Sequence, residues 1–149
     1  MENLAKFCVL AVFLLGAATV RSEDADQEAC KTMAKQYFKR IHKVYMDCHA
    51  DVKQNTSSIE EQFEKLGCTV KCILKNDKML DDNDMVTDDL IKATCKDRVT
   101  PKYQDKLMTK FMECKTKFGD KLDKTDEKCV SFKNYGLCMQ EALSHVCYE

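Results

Sequence analysis

The most reactive residues of this chain are its cysteines, and their number indicates oxidation rather than catalysis. Ten cysteines occur among 149 residues, and Cys8 lies in an apolar run near the N-terminus. The other nine are Cys30, Cys48, Cys68, Cys72, Cys95, Cys114, Cys129, Cys138 and Cys147. Thiols at this density predict a disulfide framework formed in an oxidising compartment. CxxC pairs, typical of structural zinc sites, do not occur, and an odd count leaves at least one thiol unpaired or bridged to another molecule.

Metal binding and catalysis find no support in the other polar residues. The histidines are His42, His49 and His145, and no two of them share a helical face four residues apart beside a carboxylate. An EF-hand loop starting at Asp82 would need glycine and glutamate where Thr87 and Ala93 stand. No GxSxG or comparable nucleophile motif is present. We therefore expect no metal site, no cofactor and no enzymatic activity.

The spacing of the cysteines limits which of them can pair. Cys68 and Cys72 are four residues apart, so on a helix they lie on one face with their Cβ atoms side by side. A bridge between them is unfavourable, and they must reach two different partners. Cys129 and Cys138 are nine apart, which places them on opposite faces of a helix. The helix that carries them should therefore be tied to neighbours on both sides.

The N-terminus reads as a secretory signal peptide. Residues 7–19, FCVLAVFLLGAAT, carry no charge and follow Lys6. The run is too short to span a bilayer, which needs about 20 apolar residues. Cleavage after Ser22 is expected, with cleavage after Ala18 as the alternative. This predicts a signal peptide over 1–22, a single domain over 23–149 and a secreted, extracellular protein.

The charge of the predicted mature chain excludes two classes of partner. Without Glu2, Lys6 and Arg21, 22 basic and 24 acidic groups remain, and no run of like charges stands out. Neither nucleic acid nor a membrane surface is expected as a partner.

The sequence contains residues that are typical of helix starts and ends. Four glycines and one proline are too few for the turns of a many-stranded sheet. A first helix is predicted over about Gln27–Val52, and a capping box of Ser58 with Glu61 opens a short second one that stops at Gly67. A third helix begins around Cys68 and gives way to an acidic loop.

Three further helices are predicted in the second half of the chain. The fourth begins at Thr87 and continues through Cys95. Thr100 and Pro101 open the fifth, which continues to Phe118 and is closed by Gly119. Thr125 caps the sixth, which runs toward Cys147.

The cysteine spacing resembles that of the insect odorant-binding and pheromone-binding proteins. CxxxC at Cys68 and Cys72 is followed by 41 residues to Cys114, 14 to Cys129 and eight to Cys138. The run GCTVKCILKNDKMLDDNDM is also similar to their third helix and the acidic loop after it. The match covers about Cys48 to Cys138. The resemblance implies an all-α, disulfide-stapled domain of six helices that encloses an apolar cavity.

The resemblance also implies an interlocked pairing, Cys48–Cys72, Cys68–Cys129 and Cys114–Cys138. Two features depart from the family pattern. Only 19 residues separate Cys48 from Cys68, which is short for the family, so Cys30 is an alternative first member. The other departure is three surplus cysteines, Cys30, Cys95 and Cys147, among which at most one bridge can form.

A carrier of this kind needs an apolar lining, and three of the predicted helices offer one. The predicted ligand-binding residues are Met33, Tyr37, Ile41, Val44, Leu107, Met108, Phe111, Met112, Phe132, Tyr135, Met139, Leu143, Val146 and Tyr148. Each could equally be an ordinary core residue, although the share of methionine is typical of adaptable binding surfaces.

The predicted function is that of a secreted carrier for a small hydrophobic ligand such as an odorant or pheromone. A chemosensory receptor is a further partner that the resemblance implies, with the carrier a monomer or a homodimer. The alternative is a secreted salivary, venom or reproductive-fluid protein of the same fold. Such a protein would scavenge a ligand or act through its surface on a macromolecule. A cavity of several hundred Å³ would favour the carrier, and a core filled by its own side chains the alternative.

Overall fold

A computed structural model describes the backbone of residues 2–148 and the side chains of residues 25–147. Within these residues it contains six α-helices, one short 3₁₀ helix and no strand, which confirms the predicted all-α class. The helices are α1 (Glu2–Gln54), α2 (Ile59–Glu64), α3 (Leu66–Asn76), α4 (Asp88–Arg98), α5 (Pro101–Lys117) and α6 (Val130–Tyr148), with the 3₁₀ helix at Gly119–Lys121.

Helix α1 contains the first predicted helix and extends beyond it at both ends. The predicted signal peptide, 1–22, falls where side chains lie outside the described residues, and it stays a prediction. No helix in the described part of the chain combines the length and the apolar character needed to cross a membrane.

Three helices begin where the sequence predicts. Short polar side chains accept hydrogen bonds from first-turn N–H groups of two of them, and proline occupies the first turn of the third. The Ser58 hydroxyl accepts a hydrogen bond from the Glu61 backbone N–H at 3.1 Å. The Glu61 carboxylate reaches back one residue further than expected and accepts from the Ser57 N–H at 2.8 Å. Thr87 Oγ1 accepts from the Leu90 N–H at 3.3 Å, and Pro101 occupies the first turn of α5.

The prediction that Gly67 ends the second helix is wrong. Helix α2 ends at Glu64, and Gly67 lies buried inside α3. A Cβ atom at this position would lie 2.6 Å from the carbonyl carbon of Cys129. Gly67 therefore serves close packing of α3 against the backbone that leads into α6, not helix termination.

The predicted start of the sixth helix at Thr125 is also wrong. The Thr125 N–H and hydroxyl donate to the Asp123 carboxylate at 2.8 and 2.6 Å, and Asp126 accepts from the Val130 N–H at 2.7 Å. These local side-chain bonds compete with the helix, which begins at Val130 after Cys129 adopts a positive φ of 52°. Gly119, expected to close the fifth helix, instead begins the 3₁₀ helix and has no positive φ.

Four disulfides join the helices. Cys48–Cys72 links α1 to α3, Cys68–Cys129 links α3 to the start of α6, and Cys114–Cys138 links α5 to α6. This is the pairing that the family resemblance implies, with Cys48 and not Cys30 in the framework. Cys30 pairs with Cys147, which ties α1 to the C-terminal end of α6. Cys95 has no sulfur partner and is 1% exposed, too buried to bridge to another molecule.

A charged cluster holds the turn after α3 against two helices. The Asp77 carboxylate, almost fully buried, lies 3.2 Å from Arg40 Nη2 of α1 and 2.7 Å from Arg98 Nη1 of α4. Arg98 Nη2 also donates to the Asp77 carbonyl at 2.8 Å. One carboxylate thus fixes three elements relative to each other.

Candidate ligand-binding groove

An apolar groove of about 320 Å³ lies between α1, α3 and α6, and we call it the α1–α3–α6 groove. Its volume is at the lower end of the range of small-molecule sites. It is lined by Tyr37, Phe38, Ile41, Tyr45, Leu66, Val70, Ile73, Leu74, Met79, Lys133, Gly136, Leu137, Met139 and Gln140.

The walls of the groove follow from helical spacing. Tyr37, Ile41 and Tyr45 recur every four residues along α1, and Lys133 and Leu137 do so along α6. Residues four apart on a helix lie one above the other, so each helix presents a continuous stripe to the groove. Bridges from α3 to both α1 and α6 hold the stripes side by side.

Gly136 determines how closely α6 approaches α3. A Cβ atom on Gly136 would lie 2.5 Å from Cγ1 of Val70, well inside van der Waals contact. The missing side chain lets the two helices meet at the floor of the groove. Any larger residue would force the helices or Val70 to move.

The groove opens to solvent along an apolar rim. Phe38 is 38% exposed and Leu137 is 55% exposed, both high for large apolar side chains. Exposed apolar surface next to a concavity is typical of binding sites. The rim would lose this contact with water when a ligand covers it.

The inner end of the groove is electrostatically distinct from the rim. Burial raises the pKa of the Tyr37 phenol to about 12, with a further contribution from the nearby Asp77 carboxylate. The Arg40 guanidinium lies 5.2 Å from the centre of the Tyr37 ring, within cation–π distance. Tyr37 is therefore a neutral hydrogen-bonding group at any physiological pH.

The structure distributes the predicted cavity residues over several places. Tyr37, Ile41 and Met139 line the α1–α3–α6 groove. Four others, Met33, Leu107, Phe111 and Leu143, surround an interior void of only about 10 Å³, which Tyr37 also borders. Such a void is no larger than one water molecule requires, so these four side chains act as core.

The remaining predicted residues lie elsewhere. Met108 and Met112 line a shallow, open depression of about 640 Å³ on the surface of α4 and α5. Phe132, Tyr135 and Val146 are buried in the core, and Val44 is half-buried. None of these four lines the groove, the void or the depression. The Tyr148 side chain lies outside the described residues.

Sequence reasoning missed the contribution of α3. Leu66, Val70 and Ile73 line the groove at steps of four and three residues. This periodicity is the sequence signal that indicates them, and it lies on the helix that carries the CxxxC motif. Phe38 and Tyr45, also missed, flank predicted positions on α1.

The Cys95 thiol and the Tyr135 phenol are buried in the core. Burial raises the pKa of the Cys95 thiol to about 11, which keeps it protonated and unreactive. Burial also raises the pKa of Tyr135, whose hydroxyl has no hydrogen-bond partner among the described residues.

The described residues form an all-helical domain with four disulfides and an open apolar groove. Comparisons with models of known protein families, with characterised proteins and with solved structures give no match to the chain. The function is therefore argued from the groove.

Proposed function

We propose that this protein binds a small, mostly apolar ligand in the α1–α3–α6 groove and carries it in extracellular fluid. The observation that supports the proposal best is the groove itself, about 320 Å³ in volume and lined mainly by aliphatic and aromatic side chains. Disulfides are typical of proteins that work in oxidising compartments, and the domain has four of them.

The driving force for binding is burial of apolar surface, worth about 25 cal/mol per Å². At about 30 Å³ for each heavy atom, the groove holds a ligand of about ten heavy atoms. Tyr37, Tyr45 and Gln140 are the uncharged polar residues of the lining, and we expect them to orient the ligand.

The family resemblance belongs to this proposal and rests on the spacing and pairing of the cysteines. It favours an odorant-binding-protein-like carrier that delivers its ligand to a chemosensory receptor. In that family the ligand lies in an enclosed cavity, whereas here an open groove offers the volume. We therefore place the ligand in the groove.

The experiment is the titration of the oxidised protein with a small, neutral fluorescent apolar probe such as 1-naphthylamine, whose size matches the groove. We expect saturable binding in the micromolar range. Leu137→Glu, which puts a carboxylate on the rim, should weaken binding at least tenfold, because the charge must be desolvated beside the ligand. Val130→Glu is the matched control, since Val130 is also on α6, is 48% exposed and does not line the groove.

Absence of saturable binding by the folded, oxidised protein would refute the proposal. Equal weakening by Leu137→Glu and Val130→Glu would place the probe outside the groove. Circular dichroism of both variants checks that each keeps its helices.

A second candidate function, action through the surface, is favoured by helix α2. Ile59 and Phe63 on this six-residue helix are 66% and 72% exposed. Side chains of this kind are common contact residues in protein interfaces. Probe binding that is lost on Phe63→Ser but unaffected by Leu137→Glu would assign the apolar site to α2 instead of the groove.

A further inference from the structure

The residues that line the α1–α3–α6 groove include a positive charge and no negative charge. Lys133 is the one charged residue among the fourteen that line it, and no carboxylate is among them. The remaining polar lining groups are neutral hydroxyl and amide groups. Among the lining side chains, a charged ligand therefore meets one formal charge, that of Lys133, because the Arg40 guanidinium beside Tyr37 already pairs with Asp77.

Lys133 is also available for a ligand. No carboxylate of the described residues forms an ion pair with Lys133, and it is exposed at the rim. Other lysines near the groove form ion pairs with carboxylates of the protein. Lys71 and Lys75 both pair with Asp84, at 2.8 and 2.7 Å, and Lys128 pairs with Glu64 at 2.9 Å. Lys133 is thus an exposed residue of an apolar groove, and no carboxylate of the described residues pairs with it.

We propose that the groove selects a free, medium-chain amphiphile with a single anionic head group, such as a fatty carboxylate. The inference rests on the proposed function and adds the ligand class to it. The hydrocarbon chain lies among the apolar walls formed by α1 and α3. The head group stays at the rim beside Lys133, because a carboxylate carried into the groove would lose its hydration without a partner.

The dimensions and charge set the expected preference. The volume accommodates about ten heavy atoms, which corresponds to a chain of eight or nine carbons with its head group. An ion pair at an exposed rim is weak, and we expect it to favour the carboxylate over the matched alcohol by about fivefold at low salt. The preference should shrink as ionic strength rises, because the pair is screened.

The test displaces the neutral probe with three ligands of equal chain length: nonanoate, nonan-1-ol and nonylamine. For the unmodified protein we expect nonanoate to bind about fivefold more tightly than the alcohol, and the amine to bind more weakly than the alcohol. Lys133→Gln should abolish the difference between acid and alcohol. Lys106→Gln is the matched control, because Lys106 is exposed on α5 and does not line the groove.

The outcomes separate the two proposals. Equal affinity for acid and alcohol, or a preference that survives Lys133→Gln, overturns the assignment of an anionic ligand and leaves the proposed binding of apolar ligands intact. Failure of all three ligands to displace the probe overturns both the anionic ligand and the carriage of medium-chain compounds in this groove. A preference lost equally with Lys106→Gln would reflect net charge alone and also overturns the role of Lys133.

Discussion

Gly136 of α6 lies against Val70 of α3, closer than any residue with a side chain would permit. The groove floor depends on this contact, because both residues line it and their helices carry two of its walls. The same helix pair is joined by Cys68–Cys129 at the start of α6. A steric contact and a covalent one therefore set the approach of α3 to α6.

Gly136→Ala should destabilise the protein even though alanine favours a helix by about 1 kcal/mol relative to glycine. The added Cβ would lie 2.5 Å from Val70 Cγ1, and overpacking of this kind costs about 1–3 kcal/mol. In a Val70→Ala background the clash disappears, and the same substitution should be neutral or stabilising. A double-mutant cycle from urea unfolding of the oxidised protein measures the coupling. Additive effects of the two substitutions would contradict the contact.

Asp77→Asn should lower the free energy of unfolding by about 2–3 kcal/mol, because it leaves the guanidinium groups of Arg40 and Arg98 without their shared counter-ion. Asp89→Asn is the matched control. Asp89 is exposed and lies 3.6 Å from Lys92, so its removal should cost less than about 1 kcal/mol. Chemical denaturation of both variants gives the comparison. Equal costs would show that burial of the Asp77 cluster contributes nothing.

Ionisation of the Tyr37 phenol should lower the free energy of unfolding in alkaline solution. Burial raises the pKa of its phenol from 10.0 to about 12 in the folded protein, so the unfolded chain releases this proton first. The contribution of the neutral phenol is complete below pH about 10 and is lost as the pH rises toward 12. Tyr37→Phe should flatten the decline in the free energy of unfolding over this interval. A parallel decline in both proteins would argue against a raised pKa at this residue.

Cys95 should be protected from alkylation in the folded protein. Its side chain is 1% exposed and burial raises the pKa of the thiol to about 11, so little thiolate is present or accessible at neutral pH. Iodoacetamide should modify Cys95 only after denaturation without reductant. Peptide mass spectrometry identifies the labelled residue and maps the four bridges at the same time. Rapid labelling of Cys95 in the native protein would contradict its placement in the core.

Local chemistry made much of the fold predictable. The caps at Ser58 and Thr87 and the proline at position 101 each act within one turn, so neighbouring residues in the sequence suffice to predict them. Thr125 has the same chemistry but fails as a cap. Its hydroxyl and N–H donate to the Asp123 carboxylate, so the hydroxyl does not accept a hydrogen bond as a cap, and the sequence does not reveal which of these two roles it takes.

The site was harder to predict than the fold. Apolar periodicity identifies the residues that face inward, such as Leu107 and Phe111, but it does not say whether facing side chains meet or leave space. In this domain they meet, around a void of about 10 Å³. The groove arises from the relative placement of three helices and from the glycine at position 136. These are tertiary features that no single stretch of sequence encodes.

The bridge between Cys30 and Cys147 spans 117 residues and so closes almost the whole domain into a covalent ring. A protease that cuts any one peptide bond within this ring leaves two pieces that remain joined. Release of a fragment requires a second cut. The other three bridges also join fragments, so fewer pairs of cuts can release one. The domain should therefore stay in one piece when a single peptide bond within the ring is cut.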